Sequence, residues 1–214
     1  MADTLALEYY DMLDARLRRL IDPPLDAAAR RIAAAGVGAD QITIAGAGLG
    51  VAAAFAIAGG LFQIGLALFL AGRILDGLDG AVARQSKPTA RGAFLDIGLD
   101  FVVYAAFPLV FAIHDPAANA LAAAALLAGF LVNGTAFLAF AVMAGRLQIE
   151  TDAQGRKSLY YLGGLAEGGE TIAVFAACCL WPDWFAPLAF AFAALCLVSG
   201  AGRIMTAWRL LSGA

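Results

Sequence analysis

Apolar residues along this chain gather into continuous runs of about twenty, separated by short polar or glycine-containing segments. At 1.5 Å per residue, a helix of that length crosses the ~30 Å hydrocarbon core of a bilayer. The runs are continuous and not alternating, which argues against a membrane β-barrel. The pattern predicts an all-α integral membrane fold with six transmembrane helices, at roughly 42–58, 62–84, 92–113, 118–143, 159–180 and 185–210. Gly59-Gly60-Leu61, His114-Asp115-Pro116-Ala117 and Trp181-Pro182-Asp183-Trp184 connect them on one side, and segments 85–91 and 144–158 on the other. Ahead of the first span, Leu5, Tyr9, Met12, Leu13, Leu17 and Leu20 recur at helical spacing against Arg16, Arg18 and Arg19. That is the pattern of an amphipathic helix lying on the membrane surface, stopped by Pro23 and Pro24 and followed by a second short helix bearing Arg30 and Arg31. The chain thus divides into N-terminal cytoplasmic juxtamembrane helices over 1–38 and a membrane domain over 39–214.

Composition agrees: 62% of the 214 residues are hydrophobic and 14% charged, an apolar excess too large for a water-soluble core. A net charge of −3 speaks against a nucleic-acid partner. None of the fourteen basic residues falls in the first set of connectors, so the positive-inside rule places both termini in the cytoplasm, as an even number of spans requires. Trp181, Trp184 and Phe185 then belong to the aromatic belt of the far interface. Acidic Asp3, Glu8, Asp11 and Asp14 leave no basic region for a cleavable signal peptide. Cys178, Cys179 and Cys196 lie in apolar runs without CxxC spacing and read as small buried hydrophobes. His114 is the only histidine, which removes metal sites built on several histidines and argues against a Ser/His/Asp triad; it reads as a solvated loop residue. Gly46, Gly48 and Gly50 follow no strand and read as a close helix-packing surface through Gly46xxxGly50.

Six acidic residues nevertheless fall inside the predicted spans: Asp76, Asp79, Asp96, Asp100, Glu167 and Glu170. Each costs ~2.5 to 3.5 kcal/mol in a span even on the lenient insertion scale. At 100° per residue, Asp76 and Asp79 lie about 60° apart on their helix, and Asp96 and Asp100 about 40° apart on the next. The short connector between the two spans makes them antiparallel neighbours, with all four carboxylates expected to face one another near the cytoplasmic ends. Such a cluster repels itself unless it is protonated or neutralised by cations, and hard oxygen ligands select Mg²⁺, Mn²⁺ or Ca²⁺. Two divalent cations bridged by carboxylates are the economical solution and a common device for displacement at phosphorus. Arg84, beside them at the surface, suits a phosphate oxygen.

The spacing Asp76-x-x-Asp79-Gly80-x-x-Ala83-Arg84, seven residues, Gly92-x-x-x-Asp96-x-x-x-Asp100 resembles the signature of the CDP-alcohol phosphatidyltransferase family, integral membrane enzymes of phospholipid synthesis. Ala39-Asp40-Gln41-Ile42-Thr43 stands where many members have a Pro-Asn pair, and the gap before Gly92 is one residue shorter than the commonest form. Lys157 to Gly164 with Glu167 and Glu170 is similar to a small bacterial subgroup of unassigned acceptor. The resemblance implies that Asp76, Asp79 and Asp96 bind metal, with Asp100 both a ligand and the general base. Gly80, Ala83 and Arg84 would hold the cytidine diphosphate of the donor. The implied cofactors are two Mg²⁺ or Mn²⁺ ions, with Ca²⁺ as an inhibitory occupant. The implied partners are CDP-diacylglycerol or another CDP-alcohol, an alcohol acceptor, membrane lipid and a second copy of the chain in a homodimer. The implied location is the bacterial inner membrane, with the active site at its cytoplasmic face.

Glu167 and Glu170, three apart on the glycine-rich fifth span, together with Asn133, Arg146, Lys157 and Arg203, are candidates for the acceptor pocket. The bland alternatives are a buried pair with Arg203 for the glutamates, and lipid-headgroup contact for the basic residues. Arg73 is either a phosphate ligand or a counter-ion to the aspartates. Two other readings stay open: a phosphotransferase moving a CDP-linked amino alcohol onto diacylglycerol, and a non-enzymatic divalent-cation or solute transporter built on the same carboxylates.

Overall fold

The computed structural model describes residues 23–85, 88–146 and 165–212. Among them every regular element is helical: α1 over 23–34, α2 Ala39–Ala58, α3 Phe62–Gln85, α4 Ala90–His114, α5 Pro116–Arg146, α6 Gly168–Leu180 and α7 Phe185–Leu211, with a 3-10 turn at Pro182–Trp184. The all-α expectation therefore holds. Among the described residues four stretches, Ala39–Ala58, Ala90–His114, Pro116–Arg146 and Pro182–Leu211, are long and apolar enough to cross a membrane. The α3 helix has the length, at 24 residues, but Arg73, Asp76, Asp79 and Arg84 interrupt its apolar surface. With 13 residues, α6 is shorter than a span. The surface helix expected over 5–20 lies outside the described residues, whereas the second short helix with Arg30 and Arg31 is present, Pro23 and Pro24 opening its first turn.

Two boundaries differ from the apolar pattern for local reasons. The connector expected at His114–Ala117 shrinks to Asp115, whose Oδ1 accepts from the Ala118 N–H at 3.1 Å, while Pro116 occupies the first helical position, where a missing N–H costs nothing. The helix expected from 159 begins at Gly168, because Glu167 and Glu170 cap it there. Between α2 and α3, Gly60 takes φ +78° and Leu61 N–H reaches back to Ala56 O at 2.8 Å, a left-handed helix stop that suits glycine.

The chain forms two compact units. The first lies within Met1–Ala53 and Ala67–Val103. In it, Ala29, Ile42, Leu78, Ala81 and Val82 make a buried cluster, with Leu25 and Ile32 of α1 packed against it. Helices α2 and α3 run antiparallel at close range: a methyl on Gly72 would come 2.9 Å from the Gly46 carbonyl oxygen. Gly50 meets Val103 of α4 even more tightly, so the packing role expected of Gly46 and Gly50 is seen, while Gly48 faces open space.

The second unit lies within Ala54–Leu66 and Tyr104–Ala214. Its α5 and α7 approach through Gly129, whose added Cβ would lie 3.0 Å from the Ala193 carbonyl, and Gly200, 3.2 Å from the Asn133 backbone. Rings fill the interior, with Phe107 stacked on Phe175 at 3.7 Å and Phe111 on Phe185 at 4.3 Å. Lipid tails are as apolar as these side chains, so such close fit, more than transfer out of solvent, holds the helices together. Cys178, Cys179 and Cys196 are fully buried and free. His114 ends α4, exposed, with Nδ1 3.4 Å from Ala58 O and its ring edge-on to Phe62.

Candidate active site

In the first unit, Asp76 of α3 and Asp96 and Asp100 of α4 each offer a carboxylate oxygen, all within 4.8 Å of one another. The steps of 20 residues and 4 residues along an antiparallel hairpin bring one turn of α3 opposite two turns of α4. Three like charges at that range are tolerated only with a proton taken up or a cation among them. Arg73, one turn before Asp76, supplies a cation: its Nη1 donates to Asp100 Oδ1 at 2.6 Å and lies 3.5 Å from Asp76 Oδ2, with the side chain only 8% exposed. Its guanidinium also stands 6.0 Å from the centroid of the Phe69 ring. The counter-ion reading of Arg73 is the one the geometry realises.

Asp79 does not join the group. Buried at 5% exposure, it turns to α2, where the Thr43 hydroxyl donates to its Oδ2 at 2.5 Å. That hydroxyl has one proton, and the carboxylate at 2.5 Å is a stronger acceptor than Ala39 O at 3.0 Å. The expected convergence of four carboxylates is therefore corrected to three, because the offset of Asp79 around α3 aims it at a different neighbouring helix. Three anionic oxygens within 4.8 Å fit a hard divalent cation with oxygen distances of ~2.0 to 2.6 Å.

One turn beyond, Gly80 lies alongside Arg84, where an added Cβ would make ordinary contact with Nη1 at 3.7 Å. Arg84 is 56% exposed and only loosely held, its Nη2 3.4 Å from Asp26 Oδ1 of α1. An exposed pair of that kind contributes ~0 to 1 kcal/mol, so the guanidinium is readily given up to a phosphate. Gly92 is small for a visible reason, since a Cβ there would meet Asp40 Oδ1 at 3.0 Å. Asp40 in turn accepts from Arg91 Nε at 2.9 Å and Nη2 at 2.5 Å, clipping the start of α2 to the start of α4. The roles of Thr43, Asp40, Arg91 and Asp26 are not apparent from the sequence alone. Thr43 left a signal, as a polar residue at the head of an apolar run.

The remaining candidates lie in the second unit. Asn133 of α5 donates from Nδ2 to Ala166 O at 3.0 Å, and Ser199 Oγ of α7 accepts from Leu165 N–H at 3.1 Å. These bonds hold the turn that leads into α6. Glu167 is the N-cap residue of α6 and not a residue within the helix: its side chain takes the Glu170 N–H, and Glu170 Oε2 takes the Glu167 N–H at 3.1 Å. Arg203 of α7 lies 3.8 Å from Glu167 Oε1 and over the Phe137 ring. Arg146 is exposed at the end of α5, and Lys157 lies outside the described residues.

Residues 37–200, more than half of the chain, match the family described as CDP-alcohol phosphatidyltransferase. The chain belongs to that family. Membership makes it a phospholipid-synthesis transferase and sets aside the transporter reading of its carboxylates. It is 43% identical over 200 residues to the inner membrane protein YnjF of Escherichia coli, covering 94% of this chain and 97% of that protein. It is also 41% identical over 85 residues to an archaetidylinositol phosphate synthase of Methanothermobacter thermautotrophicus, covering 39% of this chain and 40% of that one. Among solved structures, the phosphatidylinositol phosphate synthase of Mycobacterium tuberculosis with CDP-DAG bound shares the fold at a TM-score of 0.66 and 22% identity, over 86% of this chain and 93% of that one. The same synthase in complex with manganese and citrate gives a TM-score of 0.65, over 86% and 88%.

Proposed function

We propose that this transferase moves a phosphatidyl group from CDP-diacylglycerol to an alcohol and releases CMP, at the cytoplasmic face of a bacterial inner membrane that its helices cross six times. The observation that carries the reading is the convergence of Asp76, Asp96 and Asp100, two of them paired with Arg73, followed on α3 by Gly80, Ala83 and Arg84. The CDP-DAG and manganese held by the mycobacterial structures of the same fold support it, as does the inner-membrane location of the Escherichia coli relative.

In this reading Arg84 takes a diphosphate oxygen of the donor, and Gly80 and Ala83 leave room for its ribose and base. Asp100 accepts the proton of the acceptor hydroxyl as that oxygen attacks the β-phosphorus. Asp76, Asp96 and Asp100 would hold Mg²⁺ or Mn²⁺, and Asp79 would complete a two-ion site by exchanging its bond to Thr43 for a cation. When bound, the ions supply charge stabilisation to the phosphates and to departing CMP. The acceptor is received in the second unit by Glu167, Glu170, Asn133, Arg146, Lys157 and Arg203. Incubating the purified chain with labelled CDP-diacylglycerol and a panel of alcohols, then identifying the lipid product, tests the reaction. A new phospholipid with equimolar CMP is expected; label that leaves only as phosphatidic acid, whatever the alcohol, would contradict it.

A further inference from the structure

We infer that the acceptor is a neutral polyol, an alcohol with several hydroxyls and no phosphate of its own. The inference rests on the reading that the acceptor is received at the polar cluster of the second unit. Two features there could capture a phosphate, the N-terminus of α6 and the buried guanidinium of Arg203. The chain's own carboxylates already meet both. Glu167 and Glu170 close a capping box on the first turn of α6, and Glu167 Oε1 stands 3.8 Å from Arg203 Nη2. Two carboxylates against one guanidinium leave Glu167, Glu170 and Arg203, at the turn itself, with a formal charge of −1, while Arg146 stands exposed at the end of α5. An incoming phosphomonoester would have to displace Glu167 and stay in its field.

Two buried atoms of the cluster have no hydrogen-bond partner among the described residues: Arg203 Nε, a donor, and Asn133 Oδ1, an acceptor. Arg203 is 7% and Asn133 8% exposed. Both residues flank the same turn, Asn133 through Ala166 O and Arg203 through Glu167, and Gly200, three residues before Arg203, packs on the Asn133 backbone. One unmet donor and one unmet acceptor on residues that flank the same turn suit a hydroxyl, which gives and accepts a hydrogen bond. A phosphate oxygen serves Arg203 Nε but not Asn133 Oδ1, and an ammonium group serves Asn133 Oδ1 but not Arg203 Nε. Leaving either atom unmet is costly in a buried site, which is how such a site rejects the wrong analogue.

The test uses the purified full chain with CDP-diacylglycerol and two matched pairs, glycerol against glycerol 3-phosphate and inositol against inositol 1-phosphate. The unphosphorylated member of the preferred pair is expected to have at least a tenfold higher kcat/KM. Glu167→Gln, by freeing Arg203, is expected to narrow that ratio several-fold at constant donor KM. Arg203→Lys keeps the charge but removes Nε, and is expected to raise the polyol KM several-fold, again at constant donor KM, which also shows that the variant is folded. Preference of the wild type for a phosphorylated polyol or an amino alcohol overturns the neutral-acceptor inference, and if Glu167→Gln and Arg203→Lys still change acceptor KM, the location of the site survives. Unchanged acceptor KM in both variants overturns the location itself, and the inference with it.

Discussion

A guanidinium among carboxylates is the residue-scale device on which the first unit depends. Arg73 lies too deep to be a surface ion pair, at 8% exposure, and truncating it would leave Asp76, Asp96 and Asp100 to repel one another. Asp100 is bound by Arg73 yet proposed as the base, and that dual position yields a separable prediction. Asp100→Asn keeps a side-chain oxygen for Arg73 but cannot take a proton, so turnover is expected to fall by ~10² or more with donor KM little changed. Arg84→Ala is expected to do the opposite in part. Loss of a charged hydrogen bond of ~1.5 to 3 kcal/mol weakens CDP-diacylglycerol binding by about tenfold or more. Steady-state kinetics varying donor and acceptor in turn distinguish the two. An Asp100→Asn enzyme with normal turnover would remove Asp100 from the proton transfer.

At the scale of elements, the site is placed by backbone approach. Gly72 rests against the Gly46 carbonyl, one residue before Arg73, so a side chain there must push α3 away from α2. Gly72→Ala, whose Cβ would come 2.9 Å from that oxygen, is expected to destabilise the protein by ~1 to 3 kcal/mol and to lower activity. Gly48→Ala, which meets nothing within 4 Å, should do neither. Thermal unfolding of the two variants in the same detergent checks this, and equal loss in both would refute the close-packing account. The same elements explain what could be read in advance. The aspartate spacing on α3 and α4 was legible because helical periodicity alone puts Asp76, Asp96 and Asp100 on facing surfaces. The departure of Asp79 was not, because its partner Thr43 is 36 residues away on α2 and no local period reports which of two neighbours a side chain chooses. The start of α6 was missed because an apolar, glycine-rich run has no periodicity to mark an end. Glu167 and Glu170, three apart, were the available signal, and they read equally well as helix interior or as a cap.

For the molecule as a whole, basic residues decide orientation. Cysteines introduced at Gln85, the end of α3, and Asp115, the connector between α4 and α5, both exposed, in a background lacking Cys178, Cys179 and Cys196, are expected to react with an impermeant thiol reagent from opposite sides of the membrane, Gln85 from the cytoplasmic side. Labelling of both from one side would contradict the proposed six crossings. The central claim, that carboxylates of α3 and α4 hold divalent cations for phosphatidyl transfer, is tested most directly by CMP release from CDP-diacylglycerol before and after chelation, in the wild type and in Asp96→Asn. Release should cease in chelator and return with Mg²⁺ or Mn²⁺ in the wild type, and stay absent in a correctly inserted Asp96→Asn under every condition. Undiminished release in chelator, or full activity of Asp96→Asn, would contradict it.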